Sequence, residues 1–180
     1  MAGQVFAVVG PSGAGKDTLL AGAVQRRPDL YLVRRVITRP ETAGGELFEG
    51  VSPEEFARRR AAGAFVLDWE AHGLSYGIPV AAEEARAAGR DVIFNGSRAV
   101  LGRAREVFPG LIVLYVTASP AVLAARLAAR GRESAAQIEA RLARADEAVP
   151  GGGEVRVVRN EGTPEEGVAA LLAALQPVSA

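Results

Sequence analysis

The sequence predicts an α/β fold with three layers, in which a mainly parallel sheet of five strands lies between helices. Short apolar runs alternate along the chain with segments of helical period, and this alternation is typical of a parallel sheet that helices cover on both faces. A length of 180 residues favours a single domain. An apolar fraction of 49% is sufficient to fill its core.

Composition excludes several classes of protein and site. The 21 basic and 21 acidic side chains give no net charge, which argues against a nucleic-acid-binding protein. Cysteine is absent and there is one histidine, so thiolate and His-rich metal sites are excluded. No apolar run reaches the roughly 18 residues of a membrane span, and the N-terminus lacks the basic region of a signal peptide. We expect a cytoplasmic protein that binds neither nucleic acid nor membrane.

The first half of the chain begins with a strand and a helix. Val5–Val9 is apolar and stops at Gly10, which predicts a buried strand. Ser52 and Glu55 form a capping box with Pro53 at the first helical position, so a helix is expected from there to about residue 62. The other expected elements are a helix at 16–25, strands at 31–37, 65–70 and 75–80, a helix at 81–88 and a strand at 92–94.

Capping residues mark the helices of the second half. Ser119 precedes a helix that is expected to close at Gly131. Ser134 and Gln137 form a capping box for a helix to about residue 148. Thr163 caps a last helix that ends near residue 175. The remaining expected elements are a helix at 98–107, a strand at 111–116, a glycine turn at 151–153 and a strand at 155–158.

A phosphate-binding loop lies between the first strand and the first helix. Residues 10–18 read Gly-Pro-Ser-Gly-Ala-Gly-Lys-Asp-Thr, which is the Gly-x-x-x-x-Gly-Lys pattern in the required strand–loop–helix context. The alternative, a glycine-rich turn, does not explain why Lys16 is the only lysine of the chain. Backbone N–H groups and the helix N-terminus would hold the phosphates of ATP, and Lys16 would reach the β- and γ-phosphates. The expected ATP-binding residues here are Gly10, Pro11, Ser12, Gly13, Ala14, Gly15, Lys16, Asp17 and Thr18.

Asp17 stands where this loop normally has the Ser or Thr that binds Mg²⁺. The predicted strand at 92–94 runs into Asn95, not into the acidic residue that usually helps to hold the metal. One hypothesis is that the Asp17 carboxylate supplies the missing Mg²⁺ ligand, directly or through water. The alternative is that Asp17 only stabilises the first turn of its helix.

The loop resembles that of the guanylate kinases, and four further segments extend the resemblance over nearly the whole chain. Thr38-Arg39-Pro40 resembles their phosphate-binding segment. Residues 70–77, Glu-Ala-His-Gly-Leu-Ser-Tyr-Gly, resemble their acceptor loop. Residues 126–131 with 138–142 resemble their lid, and residues 157–160 their last strand, whose Asn lies near the adenine. Runner-up interpretations are a guanylate kinase with unusual acceptor contacts, a non-catalytic guanylate-kinase-like module and a P-loop NTPase switch.

Three segments differ from the guanylate kinase pattern and resemble instead the corresponding segments of the ribose 1,5-bisphosphate phosphokinase family of phosphonate catabolism. They are Gly-Lys-Asp at 15–17, Ile-Thr-Arg-Pro at 37–40 with Thr42 in place of a second Arg, and Asn-Gly-Ser-Arg at 95–98 in place of a guanine-reading Asp segment. The resemblance implies conversion of ATP and ribose 1,5-bisphosphate to 5-phosphoribosyl 1-diphosphate, with Mg²⁺. The guanylate kinases use a carboxylate here to accept hydrogen bonds from guanine, and this chain has a cation instead. A cation suits a substrate that carries two phosphates and no base.

The resemblance also implies roles for individual residues. Lys16, Arg130 and Arg141 would be catalytic, with Arg130 and Arg141 on a closing lid. Arg126 and Asn160 would bind ATP. The substrate-binding residues would be Arg39, Glu70, Tyr76, Asn95, Ser97 and Arg98. The single domain would divide into a P-loop core at 1–37, 89–125 and 150–180, an acceptor-binding region at about 38–88 and a lid at about 126–149. Trp69 is expected to face the core, and the Arg run at 58–60 to be a solvated helix face.

Overall fold

A computed structural model of the chain describes residues 1–43, 47–145, 149 and 152–177. The strands are β1 (Val5–Val9), β2 (Tyr31–Leu32), β3 (Val36–Ile37), β4 (Glu49–Gly50), β5 (Phe65–Ala71), β6 (Leu74–Pro79), β7 (Val92–Asn95), β8 (Ile112–Thr117) and β9 (Glu154–Arg159). The helices are α1 (Lys16–Arg26), α2 (Pro53–Ala61), α3 (Ala81–Ala87), α4 (Leu101–Val107), α5 (Pro120–Arg130), α6 (Ala135–Ala145) and α7 (Pro164–Ala174).

The main sheet confirms the predicted α/β fold class. Its five strands are parallel and lie in the order β2-β7-β1-β8-β9. All five residues of β1 are buried, and alternate side chains point to opposite faces. Phe6 and Val8 pack with α1, α5 and α7 on one face, whereas Val5, Ala7 and Val9 pack with α3 and α4 on the other.

A second sheet of four strands, in the order β4-β3-β6-β5, corrects one prediction. The apolar segment 31–37 was expected to be one strand, but it contributes β2 to the main sheet and β3 to the second. The chain leaves the main sheet after Val33, whose N–H donates to the Ile93 carbonyl. Val36 then pairs with Gly77 of β6, 41 positions further along the chain. Apolar periodicity cannot reveal this change of partner, because it reports burial alone.

Local capping signals are confirmed. Ser119 accepts from the Val122 N–H at the start of α5, which closes at Gly131 with a φ of 64°. Ser134 and Gln137 cap α6 reciprocally. The predicted helix at 98–107 begins instead as a 3₁₀ turn, Arg98–Val100, before α4. Some of the segments used for prediction lie outside the described residues. They are the end of the helix predicted to reach residue 148, Gly151 of the predicted turn, and Gly44 and Gly45.

The Arg run at 58–60 is a solvated helix face at two of its three positions. Arg58 and Arg60 are exposed and pair with Glu55 and with Asp68 of β5, whereas Arg59 is half-buried and bridges Glu49 and Glu55. These ion pairs attach α2 to the second sheet. Within the described part of the chain, no helix has both the length and the apolar character required to cross a membrane.

Candidate active site

The loop between β1 and α1 has a conformation that requires glycine. Gly13 and Gly15 have φ values of 86° and 88°, in the left-handed region. A Cβ on Gly10 would lie 2.0 Å from the Val116 carbonyl oxygen, and one on Gly15 would lie 2.6 Å from Asn160 Nδ2. Gly15 is also the N-cap of α1 and has no side chain that could cap the helix, so the first-turn N–H groups can face a ligand.

Lys16 folds back across this loop. Its Nζ donates to the carbonyl oxygens of Gly10 at 2.7 Å and Pro11 at 3.2 Å. Burial lowers the pKa of Lys16 from 10.5 to about 8; the Asp17 charge opposes this shift, and the positive charges of Arg35, Arg130 and Arg98 add to it. An ammonium whose hydrogen bonds within the described residues go to two carbonyl oxygens would gain from an anionic partner.

Two predicted ATP-binding residues hold the loop from the protein side. Asn160 Nδ2 donates to the Ala14 carbonyl at 2.7 Å. Arg126 donates to the carbonyls of Gly13 at 3.2 Å and Asn160 at 2.7 Å. The C=O and N–H of a trans peptide group point in opposite directions, so fixing the Ala14 carbonyl outward turns the Gly15 N–H into the loop. The sequence placed both residues at this site but gave no sign of this bracing contact.

Asp17 lies in the first turn of α1 beside an amide from the neighbouring strand. Asn95 Nδ2 donates to Asp17 Oδ1 at 3.2 Å. Thr18, in the same turn, is exposed. No three carboxylates or histidines converge among the described residues, so a metal here would need phosphate oxygens as further ligands. One oriented carboxylate together with phosphate oxygens and water is a donor set that suits Mg²⁺.

A cleft of about 630 Å³ opens beside the loop. Five of the six predicted substrate residues line it: Glu70, Tyr76, Asn95, Ser97 and Arg98. Ser97 also caps the 3₁₀ turn that follows β7, through the Ala99 N–H. The sixth predicted residue, Arg39, packs its guanidinium over the Phe48 ring at 4.4 Å. Five of the six predicted substrate residues therefore share one cavity with the phosphate loop.

The charge of this cleft differs from the charge of the whole protein. Among the described residues that line it are five cations and one carboxylate, although the chain has no net charge. The cations are Lys16, Arg35, Arg98, Arg141 and Arg144, and the carboxylate is Glu70. A concave surface with this excess concentrates positive potential and favours a ligand that carries several negative charges.

Helix α6 reaches over the cleft to the phosphate loop. Arg141 Nη1 donates to the Ser12 hydroxyl at 2.7 Å, while its Nη2 lies 3.0 Å from Glu133 Oε1. On the acceptor side, Arg98 donates to the Arg144 carbonyl at 2.8 Å. Arg130 is exposed at the end of α5. The predicted lid therefore contacts both the phosphate loop and Arg98, a predicted substrate residue.

The sequence did not single out three residues of this site. Arg144 lines the cleft, and Glu133 holds Arg141. Arg35 is 7% exposed, and burial lowers its pKa to about 10. A charged residue within an apolar strand-like segment was the available signal for Arg35. Trp69 is buried as predicted, but it also forms part of the cleft wall.

A glycine loop at the carboxyl end of β1, with a cationic cleft beside it, defines the class of protein. The arrangement is that of the P-loop kinases, which transfer the γ-phosphoryl group of ATP to a small molecule. The open sheet also places this cleft beyond the carboxyl ends of its strands, where α/β proteins bind their ligands.

Comparison with known proteins identifies the family. A family model described as an AAA domain matches residues 5–149. The ribose 1,5-bisphosphate phosphokinase PhnN of Pseudomonas fluorescens is 56% identical over 146 residues, which are 80% of this chain and 77% of that protein. The PhnN protein of Acidiphilium cryptum is 53% identical over 176 residues, which are 96% of this chain and 92% of that protein. The chain belongs to the ribose 1,5-bisphosphate phosphokinase family.

Solved structures agree on the fold. Guanylate kinase from Anaplasma phagocytophilum superposes with a TM-score of 0.66 at 19% identity, over 97% of this chain and 85% of that one. A gluconokinase from Sinorhizobium meliloti superposes with a TM-score of 0.55 at 21% identity, over 97% of this chain and 91% of that one. At such identities the likeness concerns the fold alone, which is that of the P-loop kinases.

Proposed function

We propose that this protein transfers the γ-phosphoryl group of ATP to the 1-phosphate of ribose 1,5-bisphosphate. An oxygen of the 1-phosphate forms a bond to the γ-phosphorus as the bond from that phosphorus to the β-phosphate oxygen breaks. The products are 5-phospho-α-D-ribose 1-diphosphate and ADP. The observation that carries the proposal is the cleft with five cations and one carboxylate beside the phosphate loop, in a member of this family.

The residues of the phosphate loop bind ATP in this proposal. The turned N–H groups and the first turn of α1 hold the β- and γ-phosphates, and Lys16 leaves the carbonyls of Gly10 and Pro11 to pair with them. Arg126 and Asn160 keep the loop in the shape that exposes its N–H groups. Asp17, held by Asn95, would supply an oxygen ligand to Mg²⁺, which when bound would neutralise charge on the β- and γ-phosphates.

The acceptor lies on the opposite side of the cleft. Tyr76, Ser97 and Arg98 donate hydrogen bonds to its phosphates, and Arg39 joins them when the acceptor region closes. Glu70 accepts from a ribose hydroxyl, and Asn95 contacts the ribose next to Asp17. The attacking group is already an anionic phosphate oxygen, so the reaction needs no strong general base. Positioning and charge neutralisation supply the catalysis.

The lid completes the site. Arg141 already donates to the Ser12 hydroxyl of the phosphate loop, so its guanidinium is placed to pair with the γ-phosphate. Arg130, at the end of α5, joins it there. Both charges neutralise the transferring group in the transition state. The closed lid also excludes water, which would otherwise hydrolyse ATP.

The division of the chain follows from these roles. Residues 1–37, 89–125 and 150–180 form the ATP-binding core, about 38–88 bind the acceptor and about 126–149 act as the lid of one domain. Because the reaction consumes ATP and a sugar phosphate, we place it in the cytoplasm, within phosphonate catabolism.

Turnover with separate acceptors tests this proposal. The purified protein is given ATP and Mg²⁺ with either ribose 1,5-bisphosphate or GMP, and ADP is measured. We expect ADP with the bisphosphate, and none from Lys16→Met under the same conditions. GMP is the alternative acceptor, because Glu70 lines the cleft and belongs to the segment 70–77 that resembles the acceptor loop of guanylate kinases. Turnover with GMP alone would replace the proposal by guanylate kinase activity, and ATP binding without turnover would favour a non-catalytic module.

A further inference from the structure

We propose that Trp69 makes the acceptor site selective for a sugar phosphate without a base, because its indole fills the space that a base would need. The inference rests on the proposed function, since it concerns how the same site excludes a competing acceptor. Three observations carry it. They are the place of Trp69 among the acceptor residues, the face of β5 to which it belongs, and the environment of its ring nitrogen.

Trp69 lies between two predicted substrate residues. It precedes Glu70 in β5 and lies directly opposite Tyr76 in the pairing of β5 with β6. All three residues line the cleft. The indole stacks on the Tyr76 ring, with the ring centroids 5.3 Å apart and the ring planes at 8°. A bulky group of a ligand that reached both Glu70 and Tyr76 would therefore meet the indole.

The buried face of β5 offers a base neither room nor a hydrogen-bond partner. Leu67 and Trp69 are buried at alternate positions of the strand, whereas Glu70 belongs to the other face and is exposed. Trp69 is 7% exposed, so its ring has no open face on which a base could stack. Guanine also carries N–H donors, which need oxygen acceptors, and this face of the strand carries hydrocarbon.

The ring nitrogen of Trp69 indicates a role other than packing. Trp69 Nε1 is buried and has no hydrogen-bond partner among the described residues. A buried N–H group without a partner is unfavourable. Phenylalanine, which stands at position 108 of the same core cluster, would fill a core without this cost. A residue that suits its core poorly and lines a binding cleft is typical of a functional position.

Removal of the indole would leave a vacancy with the shape of a base. Indole and purine are fused bicyclic rings of the same size. In Trp69→Ala, the guanine of GMP would take the place of the indole and stack on the Tyr76 ring. Ribose 5-phosphate has a sugar and a phosphate, as GMP has, but no base. It would therefore gain nothing from the vacancy, and the comparison of the two ligands isolates the base.

Binding of GMP and of ribose 5-phosphate, measured by calorimetry, tests the inference without turnover. The variants are Trp69→Ala, Trp69→Leu and the control Phe108→Leu. Phe108 belongs to the same core cluster as Trp69, but it is not among the described residues that line the cleft. Far-ultraviolet circular dichroism and the affinity for ATP establish that each variant is folded.

The wild-type protein should bind GMP no more tightly than ribose 5-phosphate. We expect Trp69→Ala to bind GMP at least about fivefold more tightly than the wild type, the contribution of one base stacked on an aromatic ring, and to change ribose 5-phosphate less than about twofold. Free indole should fill the vacancy and reverse the gain. Trp69→Leu should show a smaller gain, which decides the question if Trp69→Ala does not fold. Phe108→Leu should change neither ligand.

Several results would overturn the inference. They are wild-type GMP affinity in the Trp69 variants, an equal gain for both ligands, the same gain in Phe108→Leu, and a gain that indole does not reverse. Tighter binding of GMP than of ribose 5-phosphate by the wild-type protein would also overturn it, because the base would then already have a place beside the indole. Failure of the wild-type protein to phosphorylate ribose 1,5-bisphosphate would instead refute the proposed function and leave the binding comparison valid.

Discussion

The side-chain amide of Asn160 donates a 2.7 Å hydrogen bond to the carbonyl of Ala14, across 146 positions of the chain. It joins the end of β9 to the phosphate loop after β1. The contact is close enough that a Cβ on Gly15 would lie 2.6 Å from the same nitrogen. The shape of the ATP site therefore depends on a residue that is remote in sequence.

Replacing Asn160 by alanine should impair both ATP binding and stability. The buried Ala14 carbonyl would lose its 2.7 Å donor and keep the longer 3.5 Å contact from Arg126 Nη1, which should cost about 1–3 kcal/mol of the free energy of unfolding. The loosened loop should bind ATP about tenfold more weakly, a change of about 1.4 kcal/mol in binding free energy. Calorimetry and thermal unfolding measure both effects, with the exposed neighbour Arg159→Ala as control. Wild-type ATP affinity in Asn160→Ala would contradict the bracing role.

The pKa of Lys16 predicts opposite effects on binding and stability. Because burial lowers this pKa from 10.5 to about 8, the affinity of the free protein for ATP should fall as pH rises through about 8. The unfolded chain keeps the proton up to about 10.5, so the unfavourable burial of the charge acts fully below pH 8 and is relieved between 8 and 10.5. Lys16→Met should therefore raise the Tm at pH 7, by a margin that shrinks above pH 8. A Tm difference independent of pH from 7 to 9.5 would contradict this explanation.

The Glu133–Arg141 pair should affect the rate more than ATP binding. In the proposed mechanism Arg141→Ala removes a positive charge from beside the transferring group, so kcat should fall about 100-fold. Glu133→Gln keeps Arg141 but removes the ion pair that holds its guanidinium. We therefore expect kcat to fall by a smaller factor, at unchanged KM for ATP. Arg132→Ala, on the same exposed turn, is the matched control. Glu133 has no positioning role if its variant has the wild-type kcat.

Asp17 should control the dependence on Mg²⁺. In Asp17→Asn, the Mg²⁺ concentration that gives half the maximal rate should rise about tenfold or more, because a charged ligand is lost. Asp29→Asn is the control, since Asp29 is 66% exposed and pairs with Arg27. An unchanged Mg²⁺ dependence in Asp17→Asn would leave Asp17 only the stabilisation of the first helical turn.

Features that a few neighbouring residues determine could be predicted from the sequence. The phosphate loop, the α6 capping box of Ser134 with Gln137 and the glycine that ends α5 each occupy a few positions, and the structure has all three. The parallel main sheet followed from the alternation of elements. Local sequence and local conformation determine each other at such places.

Features that depend on distant partners could not be predicted in this way. The division of segment 31–37 between two sheets depends on the pairing of Val36 with Gly77. The burial of Arg35 depends on Tyr76 and Trp69, which surround it only after the second sheet has formed. The contact of Arg126 with Gly13 joins α5 to the loop across 113 positions. The resemblance to the kinase family predicted that Arg126 belongs to the ATP site, but it did not predict that its guanidinium donates to loop carbonyls.

The acceptor is tested most directly by competition in a single reaction followed by ³¹P NMR. The protein is given ATP and Mg²⁺ with equal concentrations of ribose 1,5-bisphosphate and GMP. We predict that the signal of the 1-phosphate is replaced by the two coupled doublets of a diphosphate ester, while GMP is unchanged. Formation of GDP with the bisphosphate intact, or of ADP and free phosphate alone, would contradict the assignment of this protein as a ribose 1,5-bisphosphate phosphokinase.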